Sequence, residues 1–342
     1  MLELMTNKEI YDISHLKEFI SKHIQGNKEV NLAFGLRPSG ILHLGNLFTL
    51  ALASEIVNKT GPHISNLTLA ILDLERPDNR DWDSTSNKYV KHYRDLPCEG
   101  YFSFAERTKI QLEDFMERLN KEMTVPFSLK TLSELQRDSR YRKGLKNILE
   151  NEESTKLITD ASNGKKIEVY PLCKSCGTSY TNTIRGKTNK YKNGVISTTC
   201  LNPSCDVEDY EVNVLDSSFD ISVHPLMGAL RDLSCPVADA HVYGGDYFYP
   251  HGETREPRIE KIRKIMNMAD SKKNLDFIVG PTIFAKGREK MSKSLHNGVD
   301  YNRLKRLFGE DYVKRILEFT RNVIEKEYSV VDFAVVQENL LG

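Results

Sequence analysis

One stretch near the start of the chain constrains its fold more than any other. An apolar run over residues 30–34 has the length and composition of a buried strand and is closed by Gly35. Residues 37–40, Arg-Pro-Ser-Gly, have the composition of a turn, and the apolar run from 41 to 53 is helical in character. Free backbone N–H groups and the positive end of a helix dipole converge where such a helix begins. The stretch therefore predicts a strand–turn–helix unit that holds an anion.

The first turn of that helix carries the side chains that would face the anion. His43 and Asn46 are three residues apart, so on a helix they lie on one face, and Gly45 leaves that face open to a bulky, flat group. A purine ring or a triphosphate fits this description. The same residues are also compatible with an ordinary β–α turn in which His43 is a capping or solvated histidine.

A second motif removes most of that ambiguity. Gly287-Arg-Glu-Lys-Met-Ser-Lys-Ser294 places two lysines and two serines around one methionine, a composition suited to gripping a polyphosphate. His43-Leu-Gly-Asn46, followed much later by Lys290-Met-Ser-Lys-Ser294, resembles the two signatures of class I aminoacyl-tRNA synthetases. The second signature matches the usual form of that family at every letter.

The resemblance implies an ATP-dependent reaction in which the carboxylate of an amino acid attacks the α-phosphate and expels pyrophosphate. No side chain then acts as nucleophile or base, and catalysis is positioning plus neutralisation of the charge that develops on the phosphates. Mg²⁺ is expected to accompany the ATP. The residues expected to act in catalysis are His43, Asn46, Lys290 and Lys293. The residues expected to bind ATP are Pro38, Ser39, Gly40, His43, Gly45, Asn46, Gly244, Gly245, Asp246, Met291, Ser292 and Lys293.

The adenosine part of that set rests on a strand predicted over residues 237–245. It ends in Gly244-Gly-Asp246, and a glycine pair after a strand lets the backbone approach a ligand closely. A carboxylate one residue later can accept two hydrogen bonds from a ribose. In class I synthetases a segment of this kind holds the adenosine, whereas the alternative is a simple Gly-Gly hairpin turn.

The resemblance narrows in the first half of the chain. Residues 66–73 form a predicted strand that ends in Asp73 and continues as Leu-Glu-Arg-Pro-Asp-Asn79, and Leu132-Ser-Glu and Tyr141-Arg-Lys-Gly144 follow. This pattern looks like that of the class I lysyl-tRNA synthetases, and the likeness loosely covers residues 30–300. It implies an amino-acid pocket formed by Gly35, Arg37, Asp73 and His241. Asp73, Glu75 or Asp220 would supply the carboxylate for a lysine ammonium, although His241 could equally be a packing histidine and Asp73 part of a polar loop.

Two features depart from that family. Its members have tryptophans that wall the amino-acid pocket just before the ribose-binding segment, whereas residues 223–231 contain none and the only tryptophan is Trp82. Members also continue into a large helical domain that reads the anticodon, and the sequence after Ser294 is too short for one. Lysine is therefore an expectation from descent rather than from the pocket residues.

Four cysteines in two close pairs predict a metal site. Cys173-Lys-Ser-Cys176 and Cys200-Leu-Asn-Pro-Ser-Cys205 are flanked by Pro, Gly and Ser, the composition of a zinc ribbon. Four thiolates suit tetrahedral Zn²⁺, and four protein ligands leave no open position, so the expected zinc is structural. A disulfide pairing does not fit the expected cytoplasmic compartment, and a redox pair would not need the second pair of cysteines.

The totals set further limits. Lys+Arg and Asp+Glu both number 48, so no global basic field attracts nucleic acid and any RNA contact must come from local patches. No apolar run approaches the ~20 residues of a membrane span. The N-terminus lacks a basic and apolar leader, which makes the cytoplasm the expected compartment. Nothing in the sequence indicates the oligomeric state.

These observations predict an α/β fold: a Rossmann-like parallel sheet split by a zinc-ribbon-like insertion, with a short helical C-terminal segment. The predicted divisions are 1–140 and 216–298 for the two halves of the catalytic domain, 141–215 for the insertion and 299–342 for the helical tail. Helices are expected over 6–24, 104–123, 133–150, 258–268, 301–319 and 329–341. Residues 219–231 are expected to return the chain to the main sheet, and 277–284 to form one further strand.

The leading functional hypothesis is amino-acid activation followed by transfer to a tRNA 3′ end, with lysine as the expected amino acid. A synthetase paralogue that activates an amino acid for a biosynthetic pathway or a carrier protein is the first alternative. A nucleotidylyltransferase-like ligase of the pantothenate synthetase type shares similar motifs but would not need the zinc insertion. A non-catalytic ATP or RNA sensor is the binding-module alternative, although it would have little use for a loop that grips pyrophosphate.

Overall fold

The structure is a computed structural model of the chain. It describes residues 10–25, 29–60, 64–77, 88–122, 127–151, 168–180, 189–224, 227–234, 238–244, 255–269, 275–284, 299–328 and 330–341.

A parallel sheet of six strands forms the centre of the molecule. Strands are numbered in chain order, and those of this sheet are β1 (Ile10–Tyr11), β2 (Val30–Leu36), β3 (Ile64–Ile71), β5 (Phe127–Thr131), β12 (Ala240–Tyr243) and β13 (Asp276–Val279). The strand order across the sheet is β1-β13-β12-β2-β3-β5, and every neighbouring pair is parallel. The central strands β12 and β13 are buried along their whole length because both faces of the sheet are covered.

Helices cover both faces. The described helices are α1 (Leu16–Gln25), α2 (Leu44–Thr60), α3 (Phe104–Leu119), α4 (Leu132–Leu135), α5 (Ser139–Glu150), α6 (Met227–Asp232), α7 (Arg255–Ala269), α8 (Tyr301–Phe308), α9 (Tyr312–Glu325) and α10 (Phe333–Val336). One apolar core joins a face of the sheet to α1, α2, α3, α8 and α9, and a second core joins the other face to α5, α6 and α7. Alternate strand residues supply the two cores: Val242 faces the first and Tyr243 the second.

The insertion lies between β5 and β12. It contains a three-stranded antiparallel sheet of β8 (Lys190–Lys192), β9 (Val195–Thr199) and β10 (Asp209–Asn213). Two further strands connect it to the rest of the chain: β6 (Glu168–Pro171) pairs with β11 (Ile221–His224), and β7 (Ser179–Tyr180) pairs with β4 (Tyr89–Val90). The predicted α/β fold with a parallel sheet and an insertion is therefore confirmed, whereas the division into four segments stays a prediction.

The C-terminal segment packs back onto α2 and α3. The ring of Phe319 in α9 meets that of Phe48 in α2 edge-on at 5.8 Å, and Arg321 Nε lies 2.8 Å from the buried carboxylate of Glu55. Strand β15 (Val330–Val331) pairs in parallel with β14 (Thr282–Ile283). This packing explains why α2 is apolar on every side: the sheet covers one side and α9 the other.

Several predicted boundaries are wrong. Residues 219–231, which were expected to return the chain to the main sheet, contain β11 and α6, and β11 pairs with β6 of the insertion instead. The helix expected over 6–24 begins only at Leu16, as α1, and strand β1 and a turn capped by Asp12 precede it. The Asp12 carboxylate accepts from the N–H groups of Ser14 and His15. The expected helix over 133–150 is two helices, because Asp138 caps a new start at α5. Gly280 and Pro281 divide the last strand into β13 and β14.

No helix among the described residues is long and apolar enough to cross a membrane.

Candidate functional site

Three of the predicted site residues follow neighbouring strands of the sheet. Strands β12, β2 and β3 are neighbours and run parallel, so their carboxyl ends meet at the same edge. Arg37 follows β2, Asp73 follows β3 and Gly244 follows β12. Six predicted residues, Gly245, Asp246, Lys290, Met291, Ser292 and Lys293, lie outside the described residues.

The turn after β2 needs its glycine. Gly40 has φ of 122°, a backbone conformation that side-chain-bearing residues rarely adopt, and its N–H donates to the carbonyl of Pro38 at 3.2 Å. Helix α2 then begins at Leu44 and not at Ile41 as expected. Residues 42–44 are instead engaged with residues 299–301 near the C-terminus, which leaves His43 just outside the helix.

His43 is the N-cap of α2. Its ring nitrogen Nδ1 accepts a hydrogen bond from the N–H of Gly45 at 3.0 Å, and Asn46 Oδ1 accepts from the N–H of His43 at 3.4 Å. These two bonds resemble a capping box with histidine and asparagine in place of the usual residues, except that the N-cap side chain accepts from the second helical residue and not from the third. Because Nδ1 accepts, the proton of the neutral ring is on Nε2. The capping role that the sequence left open is thus present, and it orients the ring at a helix N-terminus.

Gly45 makes room for that ring. A Cβ atom placed on Gly45 would lie 2.9 Å from Cε1 and 3.0 Å from Nδ1 of His43. The space that the sequence suggested for a flat ligand above Gly45 is therefore occupied at short range by the imidazole itself. A glycine is required at this position if the cap is to keep its geometry.

The turn that carries His43 is held from two sides. The N–H of Leu44 donates to Val299 O at 2.7 Å, and the N–H of Tyr301 donates to Leu42 O at 2.8 Å. On the other side, Gln111 of α3 accepts from the N–H of Leu42 through its Oε1 at 3.2 Å. These contacts bring the chain that follows the lysine–serine motif to the N-terminus of α2.

Asp73 is buried just after β3, and its carboxylate is bound by Ser133. One carboxylate oxygen accepts from the N–H of Ser133 at 3.0 Å and the other from its hydroxyl at 2.6 Å. Burial raises the pKa of Asp73 to about 6, and the bonds from Ser133 and the charge of Arg94 only partly oppose this. The Leu-Ser-Glu motif that suggested the lysyl family therefore has a structural reason, since its serine binds this carboxylate.

The other two candidate carboxylates are also paired. Glu75 lies 2.8 Å from Arg37 Nε, and Arg37 donates through Nη2 to the carbonyl of Arg76 at 2.7 Å. Asp220 pairs with Arg94 and, at 2.8 Å, with Arg137. Each carboxylate that the sequence offered for a substrate ammonium is therefore already paired with a side chain of this protein.

Gly35 and His241 meet through two residues that the sequence analysis missed. A Cβ atom on Gly35 would fall 1.7 Å from Nη1 of Arg231, so the guanidinium lies directly against the glycine. Arg231 pairs with Asp232 at 2.9 Å, and His241 Nδ1 lies 3.1 Å from the same carboxylate. Burial lowers the pKa of His241 to about 4 despite that carboxylate, so the ring is neutral at pH 7.

Asp232 is the negative charge that this cluster encloses. Its carboxyl group is fully buried, and although burial acts to raise its pKa, Arg231 and His241 hold the pKa below its usual value. The one sequence signal for this cluster was an adjacent Arg–Asp pair within an otherwise apolar stretch. Of the predicted pocket residues, Gly35 and His241 are therefore joined, while Asp73 and Arg37 lie in separate contacts.

The four predicted zinc ligands come together in the insertion. Their sulfur atoms all lie within 4.8 Å of one another, with Cys173–Cys205 at 3.8 Å and Cys176–Cys200 at 3.5 Å. Four sulfurs at about 2.3 Å from a tetrahedral zinc ion would be about 3.8 Å apart, whereas a disulfide needs about 2.05 Å. The set is therefore compatible with a closed structural zinc site and not with two disulfides.

Comparison with known proteins identifies similar sequences and folds. A family model described as tRNA synthetases class I (K) matches residues 13–202. The comparison with curated proteins finds no match.

Two solved structures resemble the chain at a distance. The first is a glutamate-tRNA synthetase from Elizabethkingia anophelis, with 12% identity and a TM-score of 0.38 over 87% of this chain and 61% of that one. The second is a protein assigned as an arginyl-tRNA synthetase from Campylobacter jejuni, with 11% identity and a TM-score of 0.39 over 94% of this chain and 70% of that one. The chain thus spans less than two thirds of the first structure. Likeness at this level is too distant to transfer a substrate.

Proposed function

The chain belongs to the class I (K) family of tRNA synthetases, and we propose that it activates an amino acid with ATP and transfers the acyl group to the 3′ end of a tRNA. The observation that carries this proposal is the capped N-terminus of α2. There, at the carboxyl edge of a parallel sheet, the His43 ring accepts from the N–H of Gly45, and the Asn46 side chain accepts from the N–H of His43. That arrangement suits a phosphate group through the helix dipole and the Nε2 donor of His43, because the first N–H groups of α2 are already bonded within the protein.

In this proposal His43 and Asn46 contact the triphosphate during attack by the amino-acid carboxylate. Nε2 of His43 carries the donor proton because Nδ1 accepts from Gly45. Pro38, Ser39 and Gly40 form the turn beneath the phosphates, and Gly244, Gly245 and Asp246 hold the adenosine. Lys290 and Lys293, with Met291 and Ser292 between them, neutralise the departing pyrophosphate together with Mg²⁺.

The amino-acid pocket is proposed at Gly35, Arg37, Asp73 and His241, with Arg231 added to it because its guanidinium lies against Gly35. Lysine is the first amino acid to test, on the strength of the family. Cys173, Cys176, Cys200 and Cys205 would hold a zinc ion that stabilises the insertion and supplies no chemistry to the reaction.

The test is ATP–pyrophosphate exchange with purified protein against the twenty amino acids, ornithine and 2,3-diaminopropionate, each with and without total tRNA. Exchange with one amino acid, followed by charging of tRNA with it, is the expected result. Pyrophosphate exchange without charging of tRNA would indicate that the acyl acceptor is a carrier other than tRNA. Absence of exchange with every amino acid would overturn the proposed reaction.

A further inference from the structure

His92 joins the insertion to the sheet edge from a fully buried position. Its Nδ1 lies 2.8 Å from the carbonyl oxygen of Leu74, and its Nε2 lies 2.9 Å from the hydroxyl of Ser179. A carbonyl can only accept, so Nδ1 carries the proton and Nε2 accepts from Ser179. Burial lowers the pKa of His92 to about 3, which keeps this pattern unchanged at pH 7.

The Ser179 side of this bridge leads to the four-cysteine set. Thr178, the residue before it, accepts from the N–H of Cys173 at 2.9 Å through its carbonyl. The Thr178 hydroxyl lies 3.1 Å from the sulfur of Cys176. Two of the four cysteines therefore contact the residue that immediately precedes the serine bound to His92.

The Leu74 side leads to the amino-acid edge, defined here as residues 72–77 together with Arg37. The N–H of Arg94 donates to Asp73 O at 2.9 Å, and the N–H of Tyr93 donates to Glu75 O at 3.3 Å. Together with the His92 ring, residues 92–94 thus donate to the three carbonyls of residues 73–75. Glu75 in turn fixes Arg37 by their ion pair.

We propose that His92 is a positioning residue that couples metal occupancy of the cysteine set to the amino-acid edge. A metal ion on the cysteines would hold Ser179 in place, and Ser179 would hold the His92 ring through its hydroxyl. His92 and its two neighbours would then hold the segment that carries Asp73 and Glu75. The route does not pass through His43 or Asn46, so the coupling acts on the amino acid and leaves ATP binding unchanged. The amino-acid part of this inference rests on the proposed function, whereas the structural coupling does not.

Linkage gives the coupling a second consequence. If zinc improves amino-acid affinity by some factor, then the amino acid must improve zinc affinity by the same factor. A competing chelator should therefore remove a smaller fraction of the zinc at equilibrium when the cognate amino acid is bound. An inert structural zinc would show no such dependence.

The test compares Ser179→Ala with Ser197→Ala in the zinc-loaded protein. Ser179→Ala deletes the hydroxyl that donates to His92, whereas Ser197→Ala deletes one that binds Glu211 at 3.0 Å within the insertion. The readout is hydrogen exchange at the amides of Tyr93 and Arg94. We expect Ser179→Ala to raise their exchange at least fivefold, Ser197→Ala to leave it unchanged, and Ser179→Thr to restore protection. Equal exchange in the two alanine variants would overturn the proposal.

Zinc removal from the wild-type protein gives an independent readout if Ser179→Ala does not fold. Loss of zinc should deprotect Tyr93 and Arg94 as well as the insertion, and deprotection confined to residues 168–213 would contradict the coupling. In exchange assays Ser179→Ala should raise KM for the amino acid threefold to tenfold with KM for ATP unchanged. Silence with all amino acids would remove the proposed function, while the hydrogen-exchange result would still decide the coupling.

Discussion

The backbone N–H of Leu44 donates a hydrogen bond to the carbonyl oxygen of Val299, with an N···O distance of 2.7 Å. Leu44 is the first residue of α2, next to His43, and Val299 is the first described residue after the lysine–serine motif. The two motifs that suggested nucleotide chemistry are distant in the sequence, yet main-chain atoms link their surroundings. Substituting either side chain therefore leaves the link in place, so variants in this region test chemistry more than folding.

Gly45→Ala should impair ATP use without unfolding the protein. The new Cβ would lie 2.9 Å from the His43 ring, so the ring must move from its capped position. We expect kcat/KM for ATP to fall by roughly tenfold to a hundredfold, as displacements of this kind do elsewhere. Gly144→Ala in α5 is the matched control, because its new Cβ would lie at a similar distance, 3.0 Å, from the side chain of Leu233. If both variants lose activity equally, the effect is general crowding.

Two substitutions of His43 separate capping from chemistry. His43→Ala removes the acceptor for Gly45 and should cost about 1 kcal/mol of the free energy of unfolding. His43→Asn can keep an acceptor at the N-cap and should cost much less. Both lose the Nε2 donor, so pyrophosphate exchange should fall in both by on the order of a hundredfold. An active His43→Asn protein would reduce His43 to a structural cap.

Asp73 should make the protein less stable as the pH rises. Its pKa is about 6 when folded, against 3.8 for the ordinary group, so the folded state holds the proton more tightly. The contribution of Asp73 to the free energy of unfolding is therefore greatest below about pH 4. It falls, by up to about 3 kcal/mol, as the pH rises from there through 6. Asp73→Asn can keep both bonds to Ser133 and removes this dependence. Unfolding free energies of the two proteins from pH 4.5 to 7.5 should diverge with pH, and parallel curves would contradict the assignment.

The cysteine set should bind one zinc ion per chain. Cys200→Ser removes one of the four sulfurs and should lower both the zinc content and the melting temperature. Cys98→Ser provides the control, because Cys98 lies outside the set. Metal analysis of the purified proteins, with thermal melts before and after a chelator, measures both effects. Full zinc content in Cys200→Ser would exclude this ligand set.

Asp114→Asn should loosen the C-terminal segment. Oδ2 of Asp114 in α3 accepts from the hydroxyls of Tyr301 at 2.6 Å and Tyr312 at 2.7 Å. An amide in its place weakens these bonds, and we expect a loss of about 1–3 kcal/mol in the free energy of unfolding. Because Tyr301 also holds the turn before α2, KM for ATP should rise. Glu113→Gln should change neither, because Glu113 is one residue away and its ion pair among the described residues is with Lys109, at 3.8 Å across the helix surface.

The parts of the fold that sequence could predict are those determined locally. The runs that became β2 and β3 are mostly apolar because a parallel strand is buried on both faces, and the turn at Gly40 needs a residue that tolerates positive φ. The cysteine pairs are equally informative, since the spacing within each pair brings its sulfurs together.

The parts that sequence could not predict depend on distant contacts. The start of α2 moved to Leu44 because residues 299–301 bind the preceding turn, and nothing near residue 41 signals this. Strand β11 is a short apolar run that suits either sheet, and its pairing with β6 is a tertiary choice. The guanidinium of Arg231 fills the space beside Gly35, which no residue spacing along the chain could indicate.

The pairing of β2 with β12 has a consequence for how the chain is made. Leu32 and Ala240 are partners in the sheet, yet the whole insertion is synthesised between them. At the usual rate of translation, roughly 10 to 40 s pass before the second strand leaves the ribosome. During that interval one edge of β2 has no native partner, while the hairpin of β9 and β10 can already close locally. A nascent chain of this protein therefore carries an unpaired apolar strand edge for many seconds, and chaperone demand should be greatest then.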